Sequence, residues 1–148
     1  MFAYEADHMK VLIVDDEPDI LLMLRVNLEA EGYQTALAAD GETALRRIAE
    51  ERPDLILLDV MMPVMDGWGV LEALADDVFV HRVIVVSAKS SERDITRALA
   101  LGASAYLTKP FDPDELIEAV GRVLSSTPAQ LEAQRLDLMA SVAGGTGS

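Results

Sequence analysis

The sequence predicts an α/β protein, a three-layer α/β/α sandwich around a parallel sheet. Short apolar runs, often β-branched, alternate along the chain with longer segments in which apolar residues recur every three or four positions. The first pattern is typical of strands buried on both faces of a sheet, and the second of amphipathic helices. Because the two patterns alternate five times with short connections, crossover helices are expected on both sheet faces.

The five predicted strands are apolar runs that end at turn-forming or polar residues. They cover residues 11–14, 34–38, 55–58, 83–86 and 105–108. Four of them are almost entirely apolar, as central strands of a parallel sheet are. The run over 34–38 is more mixed, which favours a position at the sheet edge.

The predicted helices are bounded by residues that start or stop helices. They are expected between Pro18 and Gly32, between Gly41 and Pro53, from Gly67 through Leu74, over 92–101, and from Pro113 through Leu124. Proline favours the first helical position and glycine the position just past the end. The helix over 92–101 has a thin apolar stripe, Ile95, Ala98 and Leu99, so we expect it to pack less firmly than the others.

The two ends of the chain depart from this alternation. Residues 1–8 are aperiodic and are interpreted as a leader or cloning remnant. Residues 9–125 then form the domain. Residues 126–148 are interpreted as a tail or truncated linker with a helical segment over 129–140.

The composition excludes several classes of function. The chain has 148 residues, 51% of them hydrophobic, which suits one globular domain. A net charge of −14 leaves no basic surface for nucleic acid or anionic lipid. The sequence has no cysteine and no apolar run near the ~20 residues of a membrane span. We therefore expect a cytoplasmic protein that binds neither nucleic acid nor membranes directly.

Four of the predicted strands end in residues suited to chemistry. Asp15 and Asp16 end the first strand, Asp59 the third, Ser87 the fourth and Lys109 the fifth. Ligands of open α/β sheets bind in the crevice outside the carboxyl ends of the strands. Three carboxylates gathered there would repel one another unless a hard divalent cation offset their charge. Magnesium is therefore the expected cofactor, with manganese as the alternative.

A lysine and a hydroxyl beside a magnesium site suit a phosphoryl group. Lys109 would attract one phosphoryl oxygen as a point charge, and Ser87 would donate a hydrogen bond to another. Ionised carboxylates are nucleophiles that form aspartyl-phosphates without a general base. The constellation predicts phosphoryl transfer onto Asp59.

At this point the chain resembles the receiver domains of two-component response regulators. The matching segments are 11–17, VLIVDDE; 57–67, LLDVMMPVMDG; 86–88, VSA; and 102–111, GASAYLTKPF. They occur in the family's order and spacing over roughly residues 9–125. The resemblance implies a flavodoxin-like, doubly wound sheet with strand order 2-1-3-4-5, and a cis peptide bond at Lys109-Pro110.

The resemblance also implies roles for the site residues. Asp59 would accept a phosphoryl group from a sensor histidine kinase or phosphotransfer protein. Asp15, Asp16, Asp59 and the backbone carbonyl of Met61 would surround the magnesium ion.

The other implied roles concern the response to the phosphoryl group. Ser87 and Tyr106 would act as the switch together with the phosphate-binding Lys109, so that phosphorylation alters binding to a downstream protein. Met61 and Lys89 would tune dephosphorylation. In this interpretation the domain is a phosphorelay component and a phosphoprotein, and it catalyses only its own phosphorylation and dephosphorylation.

Other functions stay open from the residues alone. A magnesium-dependent phosphatase acting through an aspartyl-phosphate would use similar acids, but those resembling haloacid dehalogenases have Asp-x-Asp after the first strand, where this chain has Asp15-Asp16. A flavin-binding module would need hydroxyl-rich phosphate loops, which we do not find. The segment over 126–148 could dock on a partner protein or on a second copy of the chain, so a homodimer is also an open alternative.

Overall fold

The computed structural model describes residues 9–62, 65–77 and 81–146, with the side chains of 143–146 excepted. Its five strands are β1 (Lys10–Val14), β2 (Gln34–Ala38), β3 (Leu55–Leu58), β4 (Val83–Ser87) and β5 (Ala105–Thr108). They form one parallel sheet of order β2-β1-β3-β4-β5. The predicted fold class and strand order are therefore confirmed. The predicted leader, residues 1–8, lies outside the described residues.

Six helices occur in the described part of the chain. They are α1 (Pro18–Ala30), α2 (Gly41–Glu51), α3 (Gly67–Ala75), α4 (Glu92–Ala100), α5 (Pro113–Ser125) and α6 (Pro128–Thr146). The start signals act as expected: Asp112 precedes α5, its side chain accepts the backbone N–H of Asp114, and Pro113 is the first helical residue. The sixth helix is longer than the segment predicted over 129–140.

The two faces of the sheet carry separate apolar cores, because successive strand residues point to opposite faces. Leu12, Ile56 and Val85 lie in the core shared with α2 and α3. Ile13, Leu57 and Ile84 lie in the core shared with α1 and α5. This arrangement is the three-layer sandwich.

The fourth helix buries few of its residues, as α1 also does. Its fully buried residues are Ala98 and Leu99, whereas α5 buries five of its own. The thin apolar stripe is present, and weaker packing than in the other helices stays a prediction, because α1 also buries only two residues. Displacing a helix with little buried apolar surface costs little free energy.

None of the helices in the described residues has the length and apolar content needed to cross a bilayer.

Candidate functional site

The strand register gathers the predicted site residues at one edge of the sheet. In the ladder, Val14 pairs with both Ala38 and Leu58, so Asp15 and Asp59 leave neighbouring strands side by side. Hydrogen bonds continue one residue past the strands: the N–H of Asp59 donates to the Val14 carbonyl at 3.0 Å. On the other side, the N–H of Lys109 donates to the Ser87 carbonyl at 2.8 Å. These bonds fix the backbone of the site.

The ammonium group of Lys109 lies between two buried carboxylates. Its Nζ is 2.6 Å from Oδ2 of Asp15 and 3.0 Å from Oδ2 of Asp59. Asp15 is 2% exposed and Asp59 4% exposed. Buried charges of this kind are stable only when paired and hydrogen-bonded, so the lysine offsets the mutual repulsion of the two acids.

The electrostatics of this group follow from burial and pairing. Burial raises the pKa of the Asp15 carboxyl above its usual value, although the hydrogen bond from Lys109 opposes this shift. Burial alone would lower the pKa of Lys109, but the hydrogen bonds and charges of Asp15 and Asp59 outweigh it and the pKa is raised. Lys109 therefore remains a cation at neutral pH.

Four acidic residues could hold a divalent cation here. Asp15, Asp16, Glu17 and Asp59 each offer a carboxylate oxygen, and these oxygens lie within 4.8 Å of one another. Asp16 and Glu17 are exposed, so the group is open to solvent on one side. Carboxylate oxygens beside solvent are the donor set that magnesium takes, since it retains several waters. The residues therefore fit the predicted ion.

Glu17 is the site residue that sequence reasoning missed. The sequence patterns give it no role beyond membership of the segment 11–17, yet its carboxylate is 3.6 Å from Nζ of Lys109 and belongs to the acidic group. Its position directly after Asp15-Asp16 was the available signal. The backbone carbonyl of Met61 stays a predicted ligand.

Ser87, at the end of β4, and Tyr106, on β5, both form hydrogen bonds with Lys89 in the loop between β4 and α4. Ser87 is fully buried, and its Oγ accepts the backbone N–H of Lys89 at 3.2 Å. The Tyr106 hydroxyl donates to the Lys89 carbonyl. Burial raises the pKa of the Tyr106 phenol above its usual value. One tyrosine thus connects β5 to the loop that leads into α4.

An open cleft of about 550 Å³ adjoins the acidic group. Its lining includes Asp16, Met61, Trp68 and Lys89. Met61 is half exposed, although its backbone N–H is held by Oδ1 of Asp59 at 2.9 Å. The two residues predicted to tune dephosphorylation therefore border the cleft.

Gly67 allows the loop after β3 to return across the end of the strand. Its N–H donates to the Val60 carbonyl at 3.2 Å. A Cβ atom at this position would collide with the Asp59 carbonyl oxygen and lie 2.5 Å from Cα of Val60. Those are backbone atoms, so no side-chain rotation relieves the overlap. Pro63 and Val64, also in this loop, lie outside the described residues.

We expect Gly67→Ala to lower the free energy of unfolding by about 1–3 kcal/mol, the usual cost of overpacking a site that cannot give way. Urea denaturation followed by circular dichroism measures this. The matched control is Gly69→Ala, whose Cβ would meet the flexible Met65 side chain at 3.0 Å. Because alanine favours helix over glycine, the control should be at least as stable as wild type. Equal losses in both variants would contradict the backbone collision.

Comparisons with known proteins agree with this geometry. Residues 11–121 match the family model described as the response regulator receiver domain. The chain is 44% identical over 115 residues to the alkaline phosphatase synthesis transcriptional regulatory protein PhoP of Bacillus subtilis, covering 78% of this chain and 48% of that protein. It is 41% identical over 125 residues to the transcriptional regulatory protein KdpE of Mycobacterium tuberculosis, covering 84% and 55%. The chain thus spans about half the length of these relatives.

Solved structures with the same fold include receiver domains. The Francisella response regulator 1452 receiver domain superposes with a TM-score of 0.76 at 37% identity, covering 79% of this chain and 97% of that one. The chemotaxis response regulator CheY4 of Vibrio cholerae gives a TM-score of 0.73 at 34% identity, covering 78% and 98%. The chain belongs to the response regulator receiver domain family, the signalling domains of two-component systems. The cis peptide bond implied at Lys109-Pro110 is also present.

Proposed function

We propose that this receiver domain accepts a phosphoryl group on Asp59 from a phosphohistidine of a sensor kinase or phosphotransfer protein. The observation that carries the proposal is the position of Lys109 Nζ, 3.0 Å from the Asp59 carboxylate in a crevice formed by strand ends. A cation at that distance is placed to neutralise charge on phosphoryl oxygens as they approach Asp59. Burying two neighbouring carboxylates costs desolvation free energy, which favours a chemical role for the pair.

The proposed step is a substitution at phosphorus. One carboxylate oxygen of Asp59 attacks the phosphorus, an O–P bond forms, and the P–N bond to the donor imidazole breaks. The imidazole nitrogen keeps the bonding electron pair and takes a proton from solvent. The ionised Asp59 is already a nucleophile, so no side chain has to act as general base. The ladder bond from the Asp59 N–H to Val14 holds the nucleophile in place.

Asp15, Asp16, Glu17 and Asp59 are the residues that would hold magnesium, with the Met61 carbonyl as a further proposed ligand. When bound, the ion offsets charge on the transferring phosphoryl group. Asp15 is already oriented for this role, since its Oδ1 accepts the N–H of Glu17 at 2.9 Å. Asp16 and Glu17 are exposed and can adjust to the ion.

The proposed output is a change in the loop between β4 and α4. Phosphorylation adds about −1.5 to −2 charge and three acceptor oxygens beside Asp59. We propose that the Ser87 hydroxyl turns to donate to this group, which alters the contacts that Lys89 and Tyr106 make with the loop. The shift would be passed to the lightly buried α4 and from there to a downstream protein.

Met61 and Lys89 are proposed to set the lifetime of the phosphoryl group. Both border the cleft through which water would reach Asp59. An apolar side chain at Met61 offers no hydrogen bond to an attacking water. The location implied by a sensor-kinase donor is the cytoplasm.

The switch is favoured over the alternative of a magnesium-dependent phosphatase. The family match and the relatives are those of response regulators. The two hypotheses differ in turnover, because a switch is modified once per chain while a phosphatase releases phosphate continuously from a substrate.

The test uses the chain with acetyl phosphate and magnesium, followed by intact mass and peptide mapping. We expect one added phosphoryl group on the peptide that contains Asp59, removed by hydroxylamine as an acyl phosphate should be. Incubation with a chelator in place of magnesium should leave the mass unchanged. Modification of a different residue, or continuous phosphate release from a generic phosphatase substrate, would contradict the proposal.

A further inference from the structure

The helix that follows α5 packs against α4. Leu131, Arg135, Met139 and Val142 are spaced by four, four and three residues, which puts them on one face of α6. Leu131 is 7% exposed and the other three are partly buried, whereas Leu136, on another face, is 53% exposed. One face of α6 is therefore docked on the domain, and α4 is among the elements that α6 contacts.

Arg135 makes a specific bond to the end of α4. Its Nη1 donates to the carbonyl of Leu99 at 2.9 Å, in the last turn of α4. The guanidinium group is held in place by Glu132, which it pairs with through Nε and Nη2. A cation at a helix C-terminus interacts favourably with the carbonyls and dipole there. Arg135 thus caps the last turn of α4.

The start of α6 is fixed to the body of the domain. Thr127 and Gln130 form a capping box: the Gln130 N–H donates to Oγ1 of Thr127, and the Thr127 N–H donates to the Gln130 side chain. Arg82, just before β4, donates to the carbonyls of Val123 and Ser126 at the end of α5. The chain that leads from α5 into α6 is therefore held to the body of the domain.

The other end of α4 belongs to the switch. The helix starts at Glu92, directly after the loop that follows Ser87 and contains Lys89. On its side, Arg97 lies over the ring of Trp68 on α3, 4.2 Å from the ring centroid. A displacement of α4 as a whole would change both the Trp68 contact and the Arg135 bond.

We propose that α6 is an intramolecular brace on α4, an autoinhibitory contact that opposes phosphorylation of Asp59. The inference rests on the proposed function, since it assigns α6 a role in the same switch. The brace adds a cost to any displacement of α4, so the phosphorylated state forms less readily while α6 is docked. Because coupling between two equilibria is reciprocal, phosphorylation of Asp59 weakens the docking of α6.

The experiment compares Arg135→Ala with wild type in a titration with acetyl phosphate at fixed magnesium. Phosphorylation is measured by intact mass, and α4 movement by the fluorescence of Trp68, the only tryptophan of the chain. We expect half-maximal phosphorylation of Arg135→Ala at about 2- to 10-fold less acetyl phosphate, the range that a hydrogen bond of ordinary net strength provides. Hydrogen exchange of α6 in wild type should become faster on phosphorylation.

Two controls separate the brace from general effects. Arg25→Ala removes an arginine that pairs with Glu29 on α1, far along the chain from α4, and should titrate like wild type. Met139→Gln on the docked face should act like Arg135→Ala, and Leu136→Gln on the exposed face should not. The comparison of Met139→Gln with Leu136→Gln tests the brace if Arg135→Ala does not fold.

Failure of the inference is distinguishable from failure of the proposed function. If wild type is phosphorylated on Asp59 but the variants titrate like wild type or need more acetyl phosphate, the brace is wrong and the proposed function stands. Unchanged α6 exchange in phosphorylated wild type would also overturn the brace. If wild type takes no phosphoryl group on Asp59, both are wrong.

Discussion

Asp59→Asn is expected to reduce phosphoryl incorporation from acetyl phosphate to the background of unmodified protein. An asparagine keeps the size and one acceptor oxygen of aspartate, so the Met61 N–H retains its partner. It loses the negative charge, however, and an amide is not a nucleophile towards phosphorus. Intact mass after incubation with acetyl phosphate and magnesium measures the loss directly.

The matched control is Asp54→Asn, which changes the carboxylate at the opposite end of the same strand. Asp54 accepts the Lys10 N–H at 2.8 Å and is exposed, and asparagine can keep that bond. The control should incorporate phosphoryl groups as wild type does. Undiminished incorporation in Asp59→Asn would mean that another residue is the acceptor.

Lys109→Ala is expected to slow phosphorylation by about 10²- to 10³-fold, the usual cost of removing one preorganised group that stabilises transferring charge. The reason is the ammonium position, 2.6 Å from Asp15 and 3.0 Å from Asp59. Mass spectrometry over a time course gives the initial rate. The control is Lys10→Ala, which removes a lysine that starts β1, at the end of the strand away from the site, and pairs with Glu51.

The same variant has a second expected effect, on stability. Without Lys109 the buried Asp15 and Asp59 carboxylates face each other uncompensated, which should lower the free energy of unfolding by about 3–5 kcal/mol in the absence of divalent cations. Magnesium should then stabilise Lys109→Ala more than wild type, since an ion between the acids replaces the lost charge. Equal magnesium effects on the two proteins, measured by urea denaturation, would contradict this account.

The architecture was predictable because strands that are buried on both faces have a recognisable sequence pattern. Strands such as Leu55–Leu58 are unbroken apolar runs, and helix boundaries are marked by Pro18, Asp112 and Pro113. Asp59 and Lys109 could be singled out for a related reason. Asp59 is the first polar residue after the apolar run over 55–58, and Lys109 directly follows the strand over 105–108.

Contacts between distant segments were not predictable from local patterns. The approach of Glu17 to Lys109, 92 positions away in the chain, depends on how β1 and β5 are placed. The bond from Arg135 to the Leu99 carbonyl likewise joins residues 36 positions apart. Neither residue differs in local pattern from an ordinary exposed charge.

The sequence by itself therefore determined the class of the protein, the order of its elements and the residues at the ends of its strands, because periodicity and strand termination are local properties. The tertiary structure decided which of those residues meet. It set the distances of Lys109 from Asp15 and Asp59. It also connected Tyr106 to the loop that follows Ser87 and packed α6 against α4. These contacts depend on sheet register and helix packing, which only the whole folded chain fixes.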